Sequence, residues 1–500
     1  MAVFTCKTAL AAAAITLRLA VQAQPVIWPA SQWPTSTPEE QGMDSARLAE
    51  LVSWGAGNEM DSLVVVRHGK LVTEAYFAPF RAGMKHRINS ATKAVVGGLV
   101  GIAQGKGLLG GAETPVLSLF TDRNVANPDE RKNAVTLQHL LDMTSGLQWT
   151  EPLRDTLPET LFELERSRDW QQFVLDRPMA QPPGAGFNYN SGNSHLLSAI
   201  LTRATGARTQ DFAAQNLFTP LGITDWRWRA DPQGISTGGW GLYLRTPDMA
   251  RIGYLYLHQG EWNGQQVIPR QWVEKVFHAS VPMNLTPLAD WRYGDGWWTL
   301  PERKAYVAMG FNGQMILVMP ALDMVVAITA HNQQDFGQLL TRIAASVRSG
   351  AALAPDAPGT AALARSIEQA AVEKPLPVPP APPLAHAISG KTWRLQPNRL
   401  GLTEFTLNLE GTPSYRSTLT NSRGGVTRID GLLGMDGVFA GEGELLVRAA
   451  WVEPDTLLLT ARSVEEAEVT TMRYKFSGRS VEVRYSNSYG LRGVARGETD

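Results

Sequence analysis

Cysteine is nearly missing from this chain. Its single thiol is Cys6, and it lies in an apolar N-terminal leader, away from any cleavage point. With the leader removed no thiol is left, which excludes a disulfide framework, a cysteine nucleophile and a cysteine metal site. Charge of one sign is also scarce: 46 Lys and Arg stand against 47 Asp and Glu, for a net charge of −1, with no long basic run. That speaks against a nucleic-acid surface and for a small-molecule or neutral partner. No segment after the leader stays apolar for the roughly 20 residues that span a bilayer, so no stable membrane insertion is expected. The eight histidines are scattered without metal-ligand spacing, and no metal or organic cofactor is implied.

What is present divides the chain into parts. Lys7, the apolar run Thr8 to Leu17 and the small-residue stretch Val21-Gln22-Ala23 read as a signal peptide over 1–23, which implies a periplasmic or secreted protein. Residues 62–77 read as a hairpin turning at Arg67-His68-Gly69-Lys70, and Met315 to Met319 and Met324 to Thr329 as another,. Between them Leu137 to Met143, Leu161 to Leu175, Ser194 to Thr205, Gln210 to Leu217 and Pro247 to His258 carry helical spacing,. Strands at both ends with helices between imply one antiparallel sheet that closes late and is covered by helices. The prolines between Pro375 and Pro383 mark residues 350–387 as an extended linker,. Short alternating segments such as Thr403 to Leu409 and Thr456 to Ser463 then predict a small all-β domain over 388–500. On this organisation the chain is expected to tolerate ending near Pro379.

Ser90 and Lys93 head the apolar, Gly-rich stretch Ala94 to Gly105. Residues i and i+3 share a helix face, so the Lys93 amine falls beside the Ser90 hydroxyl. A serine is a poor nucleophile until a base takes its proton, and a desolvated lysine can be that base. By itself the tetrapeptide is a weak signal and reads first as an N-cap serine followed by a surface lysine. Val95, Val96, Leu99, Val100 and Ile102 instead predict a buried helix, and Gly97, Gly98 and Gly101 predict close packing against another element. Tyr189, in Phe187-Asn188-Tyr189-Asn190-Ser191, sits at a loop-to-helix junction, where it could shuttle a proton or simply pack under the loop. Ala308-Met309-Gly310-Phe311-Asn312-Gly313-Gln314 leads into a strand; its glycines suit either a turn or substrate approach to backbone N–H donors.

In this order the three segments resemble the serine β-lactamase-related hydrolases: class C β-lactamases, D-alanyl-D-alanine peptidases, β-lactamase-fold esterases and 6-aminohexanoate-dimer hydrolases. Thr136 to Leu147, the Gly239-Trp240-Gly241-Leu242-Tyr243 turn with Asp248, and Gly313-Gln314 extend the likeness over about residues 33–348. The resemblance implies an α/β fold, a β-lactamase/penicillin-binding-protein-like antiparallel sheet flanked by helices with a helical lobe, over 33–349. A lipocalin-like β domain would follow. It also implies that Ser90 attacks an ester or amide carbonyl, Lys93 acts as base and Tyr189 relays protons. Backbone groups near Ala308, Gly310 and Gly313 would hold the oxyanion, with Ser191 meeting the substrate. Of the aromatics Trp149, Trp240, Tyr293, Trp297 and Trp298, most are expected to pack the core, and Trp240, flanked by glycines in a loop, is the one expected to line the pocket,.

Two departures narrow this. The family's second motif is commonly Tyr-x-Asn, and here Ser191 stands at the third place. The Lys-Thr-Gly of true β-lactamases is replaced by Ala308-Met309-Gly310, which removes the cation and hydroxyl expected to hold a carboxylate. Small esters or amides are therefore favoured over cell-wall peptides and antibiotics; the remaining alternative is a silent peptide- or lipid-binding protein on the same fold. Gly234-Ile235-Ser236-Thr237-Gly238 matches a nucleophile-elbow pattern without the strand and helix it needs, and Gly105 to Gly110 ends a helix instead of following a strand. His195 is expected on a helix surface or in packing.

Overall fold

The computed structural model describes residues 26–153, 159–283, 290–333, 335–420 and 424–500; the predicted signal peptide and Cys6 lie outside these. Two hairpins lie side by side at one end of the main sheet. Strands β1 (Met60–Arg67) and β2 (Lys70–Tyr76) are joined through His68 and Gly69, both at positive φ, the conformation that a two-residue hairpin turn demands. After the short β3 (Val281–Pro282) come β4 (Arg292–Gly294), β5 (Trp297–Leu300), β6 (Ala305–Gly310), β7 (Gln314–Met319) and β8 (Met324–Ala330). The sheet order is β2-β1-β8-β7-β6-β5-β4-β3. The N-terminal hairpin thus joins the late strands through antiparallel β1 and β8.

The central strands are apolar on both faces because helices cover both. Leu63, Val65, Leu317 and Val326 share a core with Leu48 and Val52 of α1 (Ser45–Ala56) and Leu340 and Ile343 of α5 (Phe336–Ser346). Their neighbours Val64, Val66, Ile316 and Val325 pack on the opposite side with Val96 and Leu99 of α2 (Thr92–Gly105) and Met249 and Ile252 of α4 (Thr246–Leu257). Alternation along each strand sends successive side chains to the two layers. The glycines of α2 are indeed contact points. A Cβ on Gly97 would lie 2.3 Å from the Asp295 carbonyl, and one on Gly101 2.4 Å from the Trp272 ring.

The helical lobe holds Leu137–Leu141, Glu159–Arg166, Trp170–Leu175, α3 (Ser191–Thr205) and Thr209–Ala213. The single helix expected over 161–175 is two, because Asp169 caps a new start by accepting from the Gln172 backbone,.

The expected linker over 350–387 needs correction. Ala357–Ala370 is a helix, α6, that buries Leu363 and Ala370 in the α1 core. Pro358 at its start is compatible with the first turn, where no backbone N–H is needed, and Asp356 caps it. The Pro-rich part that follows has no regular structure up to the short helix Pro383–Ile388. Residues 392–499 then form a nine-stranded antiparallel sheet around Trp393, Phe405, Trp451, Tyr474 and Phe476.

The contacts of this tail argue against its being dispensable. Asp61 on β1 is fully buried and bonds His86 (3.2 Å), His331 (3.0 Å) and Arg462 of the β domain. Burial pushes the Asp61 carboxyl up, but Arg462, His331 and His86 together hold it well below the usual carboxylate range. Glu465 and Glu466 reach Arg227 and Arg87 at 3.1 and 3.0 Å.

Two outcomes follow from taking away the guanidinium that faces that carboxylate. Arg462→Ala should lower unfolding free energy by about 3–5 kcal/mol, and ending the chain at Pro379 should give insoluble or markedly less stable protein, both checked by denaturant or thermal unfolding. Because the folded carboxyl is depressed, its contribution is present above the unfolded value near pH 4 and is lost as pH falls below it. A titration from pH 7 to 3 should therefore destabilise the parent more steeply than Arg462→Ala.

Candidate active site

Ser90 lies in a 3-10 turn, Asn89–Ala91, that runs directly into α2, and Lys93 is in the first turn of that helix. Ser90 is partly open to solvent whereas Lys93 is only 3% exposed. The Lys93 amine donates to Ser90 Oγ at 3.0 Å, Ser191 Oγ at 2.9 Å and the Gly239 carbonyl at 2.8 Å. These match the three donors of an ammonium. Burial nevertheless lowers the amine from its ordinary 10.5 to about 8, with Glu151 acting in the opposite direction.

Each of those partners is placed by local chain geometry. Ser191 opens α3 after the N-cap Asn190, whose side chain accepts from the Asn193 backbone. Gly239 reaches the lysine because its loop lies flat on α3: a Cβ on Gly238 would sit 1.9 Å from the Ser194 carbonyl. Tyr189 precedes the cap and is wedged between Trp298, Phe187 and Tyr293, with ring centroids 5.9 to 6.5 Å away. Its ring faces the Lys93 amine at 4.7 Å. Burial, then the Glu151 charge, raises the Tyr189 phenol well above its usual range, while a hydrogen bond with Ser90 pulls the other way.

The end of β6 comes beside the turn that carries Ser90. A Cβ on Gly310 would lie 2.2 Å from the Ile88 carbonyl, so glycine is what lets the strand approach. Gly313 instead serves the β6–β7 turn at φ +99°, and Ala308 points its methyl into the core below α2.

Two expected substrate contacts are corrected. Ser191 is 1% exposed, with its hydroxyl given to Glu151 and its oxygen accepting from Lys93. Trp240 stacks on Trp170 with centroids 5.3 Å apart and is 8% exposed, so its ring packs the helical lobe instead of lining a pocket. Trp149, Tyr293, Trp297 and Trp298 are likewise buried. His195 is a packing residue, buried and paired with Asp231 at 3.1 Å.

The sequence offered no signal for three participants. Glu151 is a single acid in a loop, and the Gly239 carbonyl is backbone. The third is a brace from the β domain: Tyr489 bonds Arg87, which bonds Asn89 at 2.9 Å, and stacks on Phe311 with centroids 5.6 Å apart.

The Beta-lactamase family model matches residues 56–349, more than half of the 500 residues, and the chain belongs to that family of β-lactamase-fold hydrolases. The 6-aminohexanoate-dimer hydrolase of Paenarthrobacter ureafaciens is 25% identical over 284 residues, 53% of this chain and 71% of that protein. The monacolin J acid methylbutanoyltransferase of Aspergillus terreus is 34% identical, but over 115 residues, 22% of this chain and 27% of the transferase. Among solved structures, a candidate 6-aminohexanoate-dimer hydrolase from Bacillus anthracis shares the fold with a TM-score of 0.54 and 23% identity, over 63% of this chain and 86% of that one.

The serine of the nucleophile-elbow lookalike provides a control. Ser236 is fully buried and accepts from the Gln210 backbone at 3.1 Å. Ser236→Ala should cost about 1 kcal/mol of stability, the scale of one hydrogen bond, and leave turnover intact, as thermal unfolding and ester hydrolysis would report.

Proposed function

We propose that this protein is a serine hydrolase that cleaves ester or amide bonds of small substrates through an acyl-enzyme on Ser90. The observation that carries this reading is the buried Lys93 amine, 3.0 Å from a partly open serine hydroxyl. Its affinity for protons is lowered by desolvation to about 8. A lysine in that range is neutral often enough to accept the Ser90 proton as the hydroxyl attacks a carbonyl.

Lys93 is a better base than Tyr189 on this reading, because a phenol whose ionisation is suppressed by burial and by Glu151 holds its proton. Tyr189 instead hands that proton to the leaving group and recovers one from Lys93. Backbone N–H groups of Ser90 and of the end of β6 stabilise the tetrahedral oxyanion, with Gly310 allowing the strand close enough to take part. Water, activated by the same pair, then releases the acid. The absence of Lys-Thr-Gly at Ala308-Met309-Gly310 supports a neutral ester or amide over a β-lactam or peptide carboxylate. The leader over 1–23 supports action outside the cytoplasm.

Ser90→Ala should abolish both turnover and labelling by a fluorophosphonate probe; ester hydrolysis surviving in that variant would overturn the mechanism. In the parent, labelling should be competed by a short-chain p-nitrophenyl ester or an aminohexanoate dimer more readily than by penicillin. Lys93→Ala and Tyr189→Phe should each lower kcat by orders of magnitude with smaller effects on KM, since both act on proton transfer in the transition state. Because the neutral amine is the active form, kcat/KM should rise with pH through about 8, a limb that a pH–rate profile reads directly.

A further inference from the structure

Glu151 belongs to no expected motif, yet it stands one residue behind the lysine. Its carboxylate is divided between two tasks: Oε1 accepts the Ser191 hydroxyl at 2.6 Å, and Oε2 accepts the Ser191 backbone N–H at 2.8 Å and the Trp149 indole N–H at 2.7 Å. Ser191 Oγ in turn accepts from Lys93 at 2.9 Å. Ser90, Lys93, Ser191 and Glu151 therefore form one unbroken hydrogen-bonded file, of which Ser191 is buried.

The direction of that file is fixed by chemistry. A serine hydroxyl has one proton. An ionised carboxylate only accepts, so Glu151 takes the Ser191 proton and leaves Ser191 with lone pairs for Lys93. Two of the three amine positions then point at permanent acceptors, Ser191 Oγ and the Gly239 carbonyl. When the amine is neutral its two protons satisfy those acceptors, and its lone pair is left facing Ser90. A serine without the carboxylate behind it is free to donate to the neutral amine, which would turn the lone pair away from the nucleophile.

On the reading that Ser90 is the nucleophile and Lys93 its base, we propose that Glu151 is a positioning residue that, through Ser191, orients Lys93 and sets the pH range over which it works. The pair Ser191 and Glu151 supplies jointly the donor and acceptor that one amide would supply alone, which accounts for serine standing where the resembling hydrolases commonly carry asparagine.

The other groups that face this file are known. Lys93 meets Ser90 from its own element, Ser191 from α3, Gly239 from the loop on α3, and the Tyr189 ring. The Glu151 charge is also felt by Tyr189, Tyr293 and Glu165, and Glu165 has Arg229 and Arg87 near it. Of the acids, Glu151 is the one that acts on Lys93, and it acts to keep the proton on, against burial.

The test is the isosteric, neutral variant Glu151→Gln, compared with Glu151→Asp, Ser191→Ala and the double variant Glu151→Gln/Ser191→Ala. Removing the negative charge should move the alkaline-rising limb of kcat/KM to lower pH by about one unit. The plateau kcat should fall at least tenfold with KM little changed. Glu151→Asp, which keeps the charge, should return the limb toward its original position. Because Glu151 acts through Ser191, the double variant should have about the kcat of Ser191→Ala alone. An unmoved limb in folded Glu151→Gln, or losses in kcat that multiply in the double variant, would overturn the proposal. If Glu151→Gln does not fold, Ser191→Ala decides: it keeps both charges and removes the link, and an unchanged kcat there overturns the proposal equally. Failure here is distinct from failure of the hydrolase reading, because Ser90→Ala and fluorophosphonate labelling judge that reading without reference to Glu151.

Discussion

The burial of one amine governs the architecture of the site. Lys93 has almost no exposure, and a buried ammonium left without partners costs several kcal/mol. Its three partners come from three separate stretches: the turn at Ser90, the start of α3 and the loop at Gly239. None can be displaced without leaving a donor unmet. The requirement extends outward. The loop reaches the amine only by lying on the backbone of α3 at Gly238, α2 sits deep enough only because Gly97 and Gly101 lack side chains, and β6 comes alongside only at Gly310. A single buried proton-binding group thereby fixes the mutual placement of the sheet, the buried helix and the helical lobe.

Much of this was legible because it is local or periodic. Ser90 and Lys93 are three residues apart, so helix geometry alone brings them together. Both hairpins announce themselves through apolar runs flanking turn residues, and β-domain strands such as those at Thr403 to Leu409 and Thr456 to Ser463 follow from alternation. What escaped depends on contacts remote in sequence. Glu151 and Ser191 are 40 positions apart, and nothing in either segment predicts that one will complete the other's hydrogen bonding. Ser191 was expected to face a substrate from its place in the motif of the resembling proteins and Trp240 because glycines flank it in a loop, yet the side chains turn inward, one toward a carboxylate and the other onto Trp170. Proline content suggested a spacer over 350–387, but prolines constrain the helix α6 only at its first turn, and the apolar stripe ending in Leu363 and Ala370 decided the matter.

The β domain is joined to the hydrolase layer by charges, not by apolar surface alone. Arg87, two residues from Asn89 and three from Ser90, is held by Glu466 and Tyr489, and Asn89 bonds the Phe311 carbonyl at the end of β6 at 2.9 Å. The backbone turn that presents Ser90 and the strand end beside it are thus braced by the loop that carries Tyr489. This is an arrangement in which an appended domain contributes rigidity to a site without contributing a reacting group.

Asp61 and Arg462 stand 401 residues apart, and that separation has a consequence for the order of assembly. During synthesis the strand carrying Asp61 emerges with the first part of the hydrolase layer, while its counter-charge does not exist until most of the chain has been made. Until then the aspartate has only His86 and, later, His331 to pair with, and its burial lacks the guanidinium that completes its set of partners. The full set of charges around Asp61 is therefore complete only once the C-terminal strands have been made and have folded against the layer that carries Ser90.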